Sequence, residues 1–188
     1  MPWWIGEIAH QMGLVPLAWC ALRRVREPAY WWLAGAFGVS WLADWAAHWV
    51  APWLVGLVYP VSQAALVGAV FLTRRDALRF TLALMVVGIA AALWRGPEGP
   101  DVLLATVAWG GVVGIVADRP ALGLLRMALM VTCGVGLAAW WGYAVTPLWA
   151  TWGGYQVVRA TGIGLFCLAV VRDRPRLRLT SQRKEYVA

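Results

Sequence analysis

The chain has 188 residues, of which 62% are hydrophobic and 13% are charged, and its formal net charge is +7. Soluble proteins carry about 25% charged residues, so this composition argues against an ordinary soluble domain and favours a membrane protein. The basic residues lie between apolar runs and not in one patch, which argues against nucleic-acid binding and for determinants of membrane topology. The three cysteines form no metal-binding or disulfide spacing, so neither a metal nor a cofactor is expected.

Seven apolar segments are predicted to form membrane-spanning helices in an all-α polytopic bundle. Because one spanning helix needs roughly 20 apolar residues, seven of them fill this chain with short connections. The predicted spans are 3–22, 29–50, 53–72, 77–94, 102–117, 121–145 and 148–171. Polar residues interrupt the first segment, and whether it crosses the membrane is left open. We expect one domain over residues 1–171, followed by a basic cytoplasmic tail over 172–188.

The arginines predict the orientation of the bundle. Lysine and arginine are retained on the cytoplasmic side of spanning helices. Every second connection between the predicted spans is basic. The basic residues in these connections are Arg23, Arg24 and Arg26, then Arg74, Arg75 and Arg79, then Arg119 and Arg126, and six more in the tail. Only Arg95 falls on the other side. This pattern predicts an odd number of spans in a bacterial inner membrane, with the N-terminus outside and the C-terminus inside.

Polar residues within the predicted spans mark a candidate site. Ser40, Asp44 and His48 recur at intervals of four and therefore share one helix face. An ionisable residue in a spanning helix costs about 2.5 to 3.5 kcal/mol on insertion, so such residues are usually paired, turned into the bundle and functional. The alternative is that Asp44 only joins helices through a hydrogen bond. Arg159 is the sole basic residue in the middle of a predicted span, since Arg79 and Arg126 lie near the cytoplasmic ends of theirs. It needs a counter-charge, for which Asp44 and Glu7 are the candidates.

The predicted topology places most of these polar residues at similar depth in the outer half of the bilayer. We therefore expect an outward-opening cavity with aromatic and polar walls that binds a small organic molecule. The candidate ligand-binding residues are Glu7, His10, Trp41, Asp44, Trp45, His48, Tyr59, Gln63, Tyr155, Gln156 and Arg159.

A weak internal repeat relates segments one to three to segments five to seven. Gly38-Val-Ser-Trp-Leu-Ala-Asp-Trp, followed by Gln63, aligns with Gly134-Val-Gly-Leu-Ala-Ala-Trp-Trp, followed by Gln156. Such a layout resembles the three-plus-one-plus-three organisation of the SWEET sugar transporters and the nicotinamide-riboside transporters. The Pro-Gln pair of the PQ-loop relatives is absent, since Pro16 precedes Leu17 and Pro60 precedes Val61. The resemblance implies transport of a small organic molecule.

Two other function classes stay open. Ser40, Asp44 and His48 resemble part of the polar set of the membrane hydrolases related to alkaline ceramidase, but the paired histidines of that family's last helix are missing. A catalytic zinc would need His10, His48 and Asp44 together. The third class is a non-catalytic subunit or scaffold, with homo-oligomers, other membrane proteins and membrane lipid as partners. A retinal protein is excluded, because the only lysine, Lys184, lies in the tail.

Overall fold

The computed structural model describes residues 8, 11–46, 49, 52–95, 102–145 and 148–172. These residues form an all-α fold, as predicted, with seven α-helices and no strand among them. The helices are α1 (Val15–Leu22), α2 (Pro28–Ala46), α3 (Pro52–Phe71), α4 (Arg74–Arg95), α5 (Val102–Ala117), α6 (Leu124–Val145) and α7 (Leu148–Arg172). Short 3₁₀ turns at Met12–Leu14 and Pro120–Leu122 precede α1 and α6.

One described segment is long and apolar enough to cross a bilayer. It is Gly154–Arg172, 19 residues with a mean hydropathy of 1.5. Four other apolar helical stretches with described side chains are shorter, namely Met12–Leu22, Val58–Phe71, Leu104–Ala117 and Leu124–Ala139. A single such segment does not establish a polytopic membrane protein, because the core helix of a soluble protein has the same length and composition.

Local capping explains where the helices depart from the predicted segments. Helix α4 begins at Arg74, three residues before the predicted start, because Thr73 caps it: Oγ1 of Thr73 accepts a 3.2 Å hydrogen bond from the Asp76 amide and donates one of 2.6 Å to the Asp76 carboxylate. Helix α6 begins at Leu124 because Gly123, with φ of 52°, ends the preceding 3₁₀ turn.

Helix α1 ends in a Schellman motif. The amide of Val25 bonds to the carbonyl of Cys20, and the amide of Arg24 bonds to that of Ala21. Arg24 takes the left-handed conformation, with φ of 50°, that glycine usually occupies in this motif. The connection from α1 to α2 is therefore a defined turn in which Val25 is buried.

Six of the helices contact one another in a closed circuit. Helix α1 packs on α2, α2 on α3, α3 on α5, α5 on α6, α6 on α7, and α7 returns to α1. Helix α4 lies outside this circuit against α3 and α5. Its outward face carries exposed large apolar side chains, which are Leu78, Leu82, Met85, Val86, Ile89 and Leu93.

The arginine-bearing connections gather at one end of the bundle. Arg119, just after α5, donates a hydrogen bond of 3.0 Å to the carbonyl of Phe71, the last residue of α3. Near the end of α1, Nε1 of Trp19 donates one of 3.1 Å to the carbonyl of Cys167, in the last turns of α7. We call this the arginine-rich end.

Small residues bring α6 and α7 into close contact. A Cβ atom added to Gly162 would collide with Oγ1 of Thr132 and would lie 3.2 Å from the carbonyl oxygen of Ala128. The Thr132 hydroxyl cannot easily give way, because it donates a hydrogen bond of 2.8 Å to that same carbonyl. Gly164, two residues further along α7, is exposed, and an added Cβ there meets no atom within 4 Å.

We predict that Gly162→Ala lowers the free energy of unfolding by about 1–3 kcal/mol, the usual cost of inserting a methyl group into a packed interface. The matched variant Gly164→Ala should leave it unchanged or raise it by up to about 1 kcal/mol, because alanine favours the helix and meets no neighbour there. Thermal unfolding of the purified proteins under identical conditions measures both. Equal melting temperatures for the two variants would contradict this packing of α6 on α7.

Candidate functional site

Arg159 on α7 is the most deeply buried charged residue in the described part of the chain, with no exposed surface. Its Nη1 donates a hydrogen bond of 3.1 Å to Oε1 of Gln156, one turn earlier on the same helix. Its Nη2 donates one of 3.3 Å to the backbone carbonyl of Phe37 on α2. Because a guanidinium is always protonated in proteins, a permanent positive charge lies between α7 and α2.

Glycine at position 13 makes room for this guanidinium. A Cβ atom added to Gly13 would lie 2.7 Å from Nη2 of Arg159 and 2.9 Å from Cβ of Trp41. The backbone of the 3₁₀ turn before α1 therefore packs directly against the arginine. Trp41, on α2, in turn donates a hydrogen bond of 2.8 Å to Oε1 of Gln11.

Gln63 on α3 joins three helices through its amide. Its Nε2 donates a hydrogen bond of 3.0 Å to the carbonyl of Ala36 on α2. Its Oε1 accepts one of 2.6 Å from Nε1 of Trp109 on α5. The side chains of Gln63 and Trp109 are both buried, where a polar group without a hydrogen-bond partner would be costly. The oxygen and the nitrogen of the Gln63 amide each make a hydrogen bond, and so does the indole N–H of Trp109.

Two tyrosines extend these contacts to α7. The hydroxyls of Tyr59, on α3, and Tyr155, on α7, lie 3.4 Å apart. The ring of Tyr59 also meets the ring of Trp109 edge-on, with centroids 5.6 Å apart. We refer to six side chains together as the polar network: Tyr59, Gln63, Trp109, Tyr155, Gln156 and Arg159.

The network offers mainly hydrogen-bond donors to a ligand. The Nε2 atom of Gln156 is buried and has no acceptor among the described residues. Beside the network, a gap lined in part by Ala36, Gln63 and Thr132 is too small to hold a water molecule. The described side chains around this gap are therefore closely packed.

The structure places five of the candidate ligand-binding residues in two adjoining groups, which bond to the successive carbonyls of Ala36 and Phe37. One group holds Tyr59, Gln63 and Tyr155, and the other holds Gln156 and Arg159. Trp41 lies close to Arg159, since both border the space beside Gly13. Trp45 does not join them, because its side chain is 55% exposed and its ring packs on Trp49 at 6.1 Å between centroids.

Four other candidates lie outside the residues that the structure describes, in whole or in part. They are Glu7, His10 and His48, together with Asp44, whose backbone belongs to α2 but whose side chain is not described. Pairing of Arg159 with Asp44 or Glu7 therefore stays a prediction. Two of the three residues that a catalytic zinc of the hydrolase alternative would need, His10 and His48, fall outside the described ranges. Within those ranges no three His, Cys, Asp or Glu side chains cluster.

Sequence reasoning missed two contributors to the site. Trp109 is one of 15 tryptophans, and no polar residue next to it in the sequence singles it out. The one available signal is its position in the middle of a helix beside Gly110-Gly111, which does not suit a tryptophan at the membrane interface. Gly13 has no side chain that could mark it in the sequence. It contributes to the site only because the fold places Arg159 of α7 next to it.

Comparison of the chain with protein-family models, with curated proteins and with solved structures finds no match.

A double-mutant cycle tests the contact between Gln63 and Trp109. We predict that Gln63→Leu costs about 1–3 kcal/mol of unfolding free energy, because it leaves the buried indole N–H without its acceptor. Adding Trp109→Phe removes that N–H. The double variant should therefore lose less unfolding free energy than the two single losses added together, by about 0.5–3 kcal/mol. Thermal or denaturant unfolding of the four proteins measures this difference, and simple additivity would contradict the hydrogen bond.

Proposed function

We propose that this chain is a seven-span membrane protein that binds and translocates a small organic molecule, with its N-terminus outside and its C-terminus in the cytoplasm. The observation that carries the proposal is the fully buried guanidinium of Arg159 inside an interhelical polar network. Ionisable residues in membrane helices generally face the bundle interior and mark substrate pathways.

Three features support the membrane placement. Helices α2, α3, α4, α6 and α7 have 19 to 25 residues, and roughly 20 residues of α-helix match the hydrocarbon thickness of a bilayer. The outward face of α4 is apolar, which suits contact with lipid. The arginines of the connections gather at one end, as retention on the cytoplasmic side requires.

The network connects two halves of the bundle, α1–α3 and α5–α7, the two units of the proposed repeat. Arg159 bonds across the halves to Phe37, and Trp109 bonds across them to Gln63. The hydroxyls of Tyr59 and Tyr155 meet across the same boundary. Movement of one half against the other would therefore break these contacts and expose their donors, the kind of motion that alternating access uses in transporters built from repeats.

Contacts at the arginine-rich end support a site that opens outward. There the halves are joined by Trp19 with Cys167 and by Arg119 with Phe71. The guanidinium of Arg119 also lies over the Phe71 ring, 5.5 Å from its centroid. Closure at the cytoplasmic end leaves the opposite end as the route to the network.

The chemistry of the network indicates the class of ligand. Arg159 and Gln156 present hydrogen-bond donors, which suit a carboxylate, phosphate or other acceptor-rich group. Tyr59 and Trp109 add aromatic surface, which suits a flat or apolar portion of the same molecule. We therefore propose a small polar organic molecule with an acceptor-rich end.

Reporter fusions test the topology. We predict that alkaline phosphatase fused after Arg24 or after Arg172 is inactive, because both positions are cytoplasmic, and that phosphatase fused within the 96–101 connection is active. Green fluorescent protein at the same positions should give the opposite pattern. Uniformly inactive phosphatase, with the chain recovered in the soluble fraction, would contradict the membrane placement.

A solute and metal inventory tests the function. We predict that the detergent-purified wild type carries a co-purifying organic solute and that Gln156→Leu, Arg159→Gln and Asp44→Asn reduce its occupancy at least tenfold. The control Thr161→Val changes an exposed residue on α7 and should leave occupancy unchanged. Mass spectrometry of the extracted solute, together with elemental analysis, gives the measurement, and uptake of the identified solute into proteoliposomes follows.

Two results would contradict transport. Stoichiometric zinc that is lost in Asp44→Asn and in His48→Ala would favour the lipid-modifying hydrolase. A wild type that carries neither solute nor metal and takes up none of the small organic anions offered to it would favour a non-catalytic subunit.

A further inference from the structure

A surface groove lies between the beginning of α2 and the facing part of α3, on the arginine-rich side of the bundle. Its volume is about 470 Å³. The residues that line it are Arg26, Pro28, Trp31, Trp32, Gly35 and Leu66. None of them belongs to the polar network, so the groove is a separate site.

The aromatic wall of the groove is held in place. Trp31 and Trp32 are 38% and 47% exposed, which is unusual for two adjacent indoles. Nε1 of Trp31 donates a hydrogen bond of 2.9 Å to the carbonyl of Val25. Val25 is itself buried and held by the Schellman motif at the end of α1. The wall is therefore fixed by the fold.

The floor of the groove is open because residue 35 is a glycine. A Cβ atom added to Gly35 would contact only Cδ1 of Leu66, at 3.8 Å, so any longer side chain at this position would project into the groove. Pro28 and Gly35 lie seven positions apart on one helix face, which gives the groove a length of roughly 10 Å along α2. An open apolar groove of this length suits part of a hydrocarbon chain.

The charges at one end of the groove favour an anionic group. Arg26 is exposed and forms no ion pair with a carboxylate among the described residues. Arg23 and Arg24 are exposed in the same connection, which holds one acidic residue, the half-buried Glu27. Arginine forms strong charge-assisted hydrogen bonds with phosphate, and tryptophans favour the headgroup boundary of a bilayer.

We infer that this groove binds one anionic phospholipid from the cytoplasmic leaflet, with an acyl chain along α2 against Gly35 and Leu66 and the headgroup phosphate at Arg26. The inference rests on the membrane placement in the proposed function and is independent of the solute. Charge complementarity selects the lipid, because the apolar groove leads directly to the exposed guanidinium of Arg26.

Native mass spectrometry of the full chain in detergent tests the inference, with phosphatidylglycerol as the probe and zwitterionic phosphatidylcholine as the net-neutral comparison. The wild type should retain one phosphatidylglycerol in preference to phosphatidylcholine, whose choline cation offsets its phosphate and is repelled by Arg26. Arg26→Gln should weaken phosphatidylglycerol binding about fivefold, the factor for one basic residue near an anionic surface, and should weaken phosphatidylcholine binding less. Gly35→Leu should abolish retention of both lipids, and glycerol phosphate should not compete, because the acyl chain is required.

Two control variants separate a built site from general surface charge. Arg79 lies at the same end of the bundle, 3.8 Å from the Asp76 carboxylate and outside the groove, so Arg79→Gln should bind as the wild type does. Gly164→Leu adds the same side chain as Gly35→Leu at an exposed position on α7 and should also bind normally. Equal weakening by Arg26→Gln and Arg79→Gln, or normal binding by Gly35→Leu, would overturn the inference.

The reporter fusions distinguish failure of the lipid-site inference from failure of the proposed function. If they place the chain in the membrane while wild type, Arg26→Gln and Gly35→Leu bind phosphatidylglycerol equally, only the lipid site is wrong. If they place the chain outside the membrane, the proposed function itself is wrong.

Discussion

The buried charge of Arg159 is the constraint around which the bundle is arranged. A guanidinium removed from bulk water loses its hydration and has to recover it from fixed hydrogen-bond acceptors. The described part of the fold supplies the amide oxygen of Gln156 and the backbone carbonyl of Phe37. It also requires glycine at position 13, where any side chain would occupy the space of the guanidinium. One residue on α7 thereby fixes the positions of α2 and of the turn before α1.

The same need to satisfy polar groups explains how the two halves of the bundle are joined. Between apolar helices the hydrophobic effect is unspecific, so hydrogen bonds and close contacts of small residues determine which helix faces meet. Gln63 and Trp109 provide the first kind of contact between α3 and α5, and Gly162 with Thr132 provides the second between α6 and α7. A hydrogen bond can break and re-form with a different partner. Close packing against a glycine offers no such alternative partner. Hydrogen bonds cross the boundary between the halves from Trp109 to Gln63 and from Arg159 to Phe37, beside the packed rings of Phe37 and Phe166. The proposed transport would break and re-form those hydrogen bonds.

The fold could be predicted largely from the sequence, because helix length, apolar runs and proline- or glycine-rich connections are local properties of the chain. Segment 102–117 matches α5 at both ends, and the other predicted segments overlap the observed helices. The differences, such as the early start of α4, come from side-chain caps. Whether all seven helices cross a membrane is not decided by helix length and apolarity, since only Gly154–Arg172 meets both requirements within the described residues.

The sequence by itself determined the all-α class, the order of the helices, the placement of arginines in alternate connections and the identity of most polar residues in the interior. Only the tertiary structure decided which of those residues meet. Gln63 and Trp109 are 46 positions apart and Arg159 lies 122 positions from Phe37, so no local pattern could pair them. Trp45 is a candidate from the sequence and lies one helical turn from Trp41, yet its side chain is 55% exposed in the packed bundle. The physical reason is that polarity is a property of each residue, whereas burial and partnership depend on how helices rotate against one another.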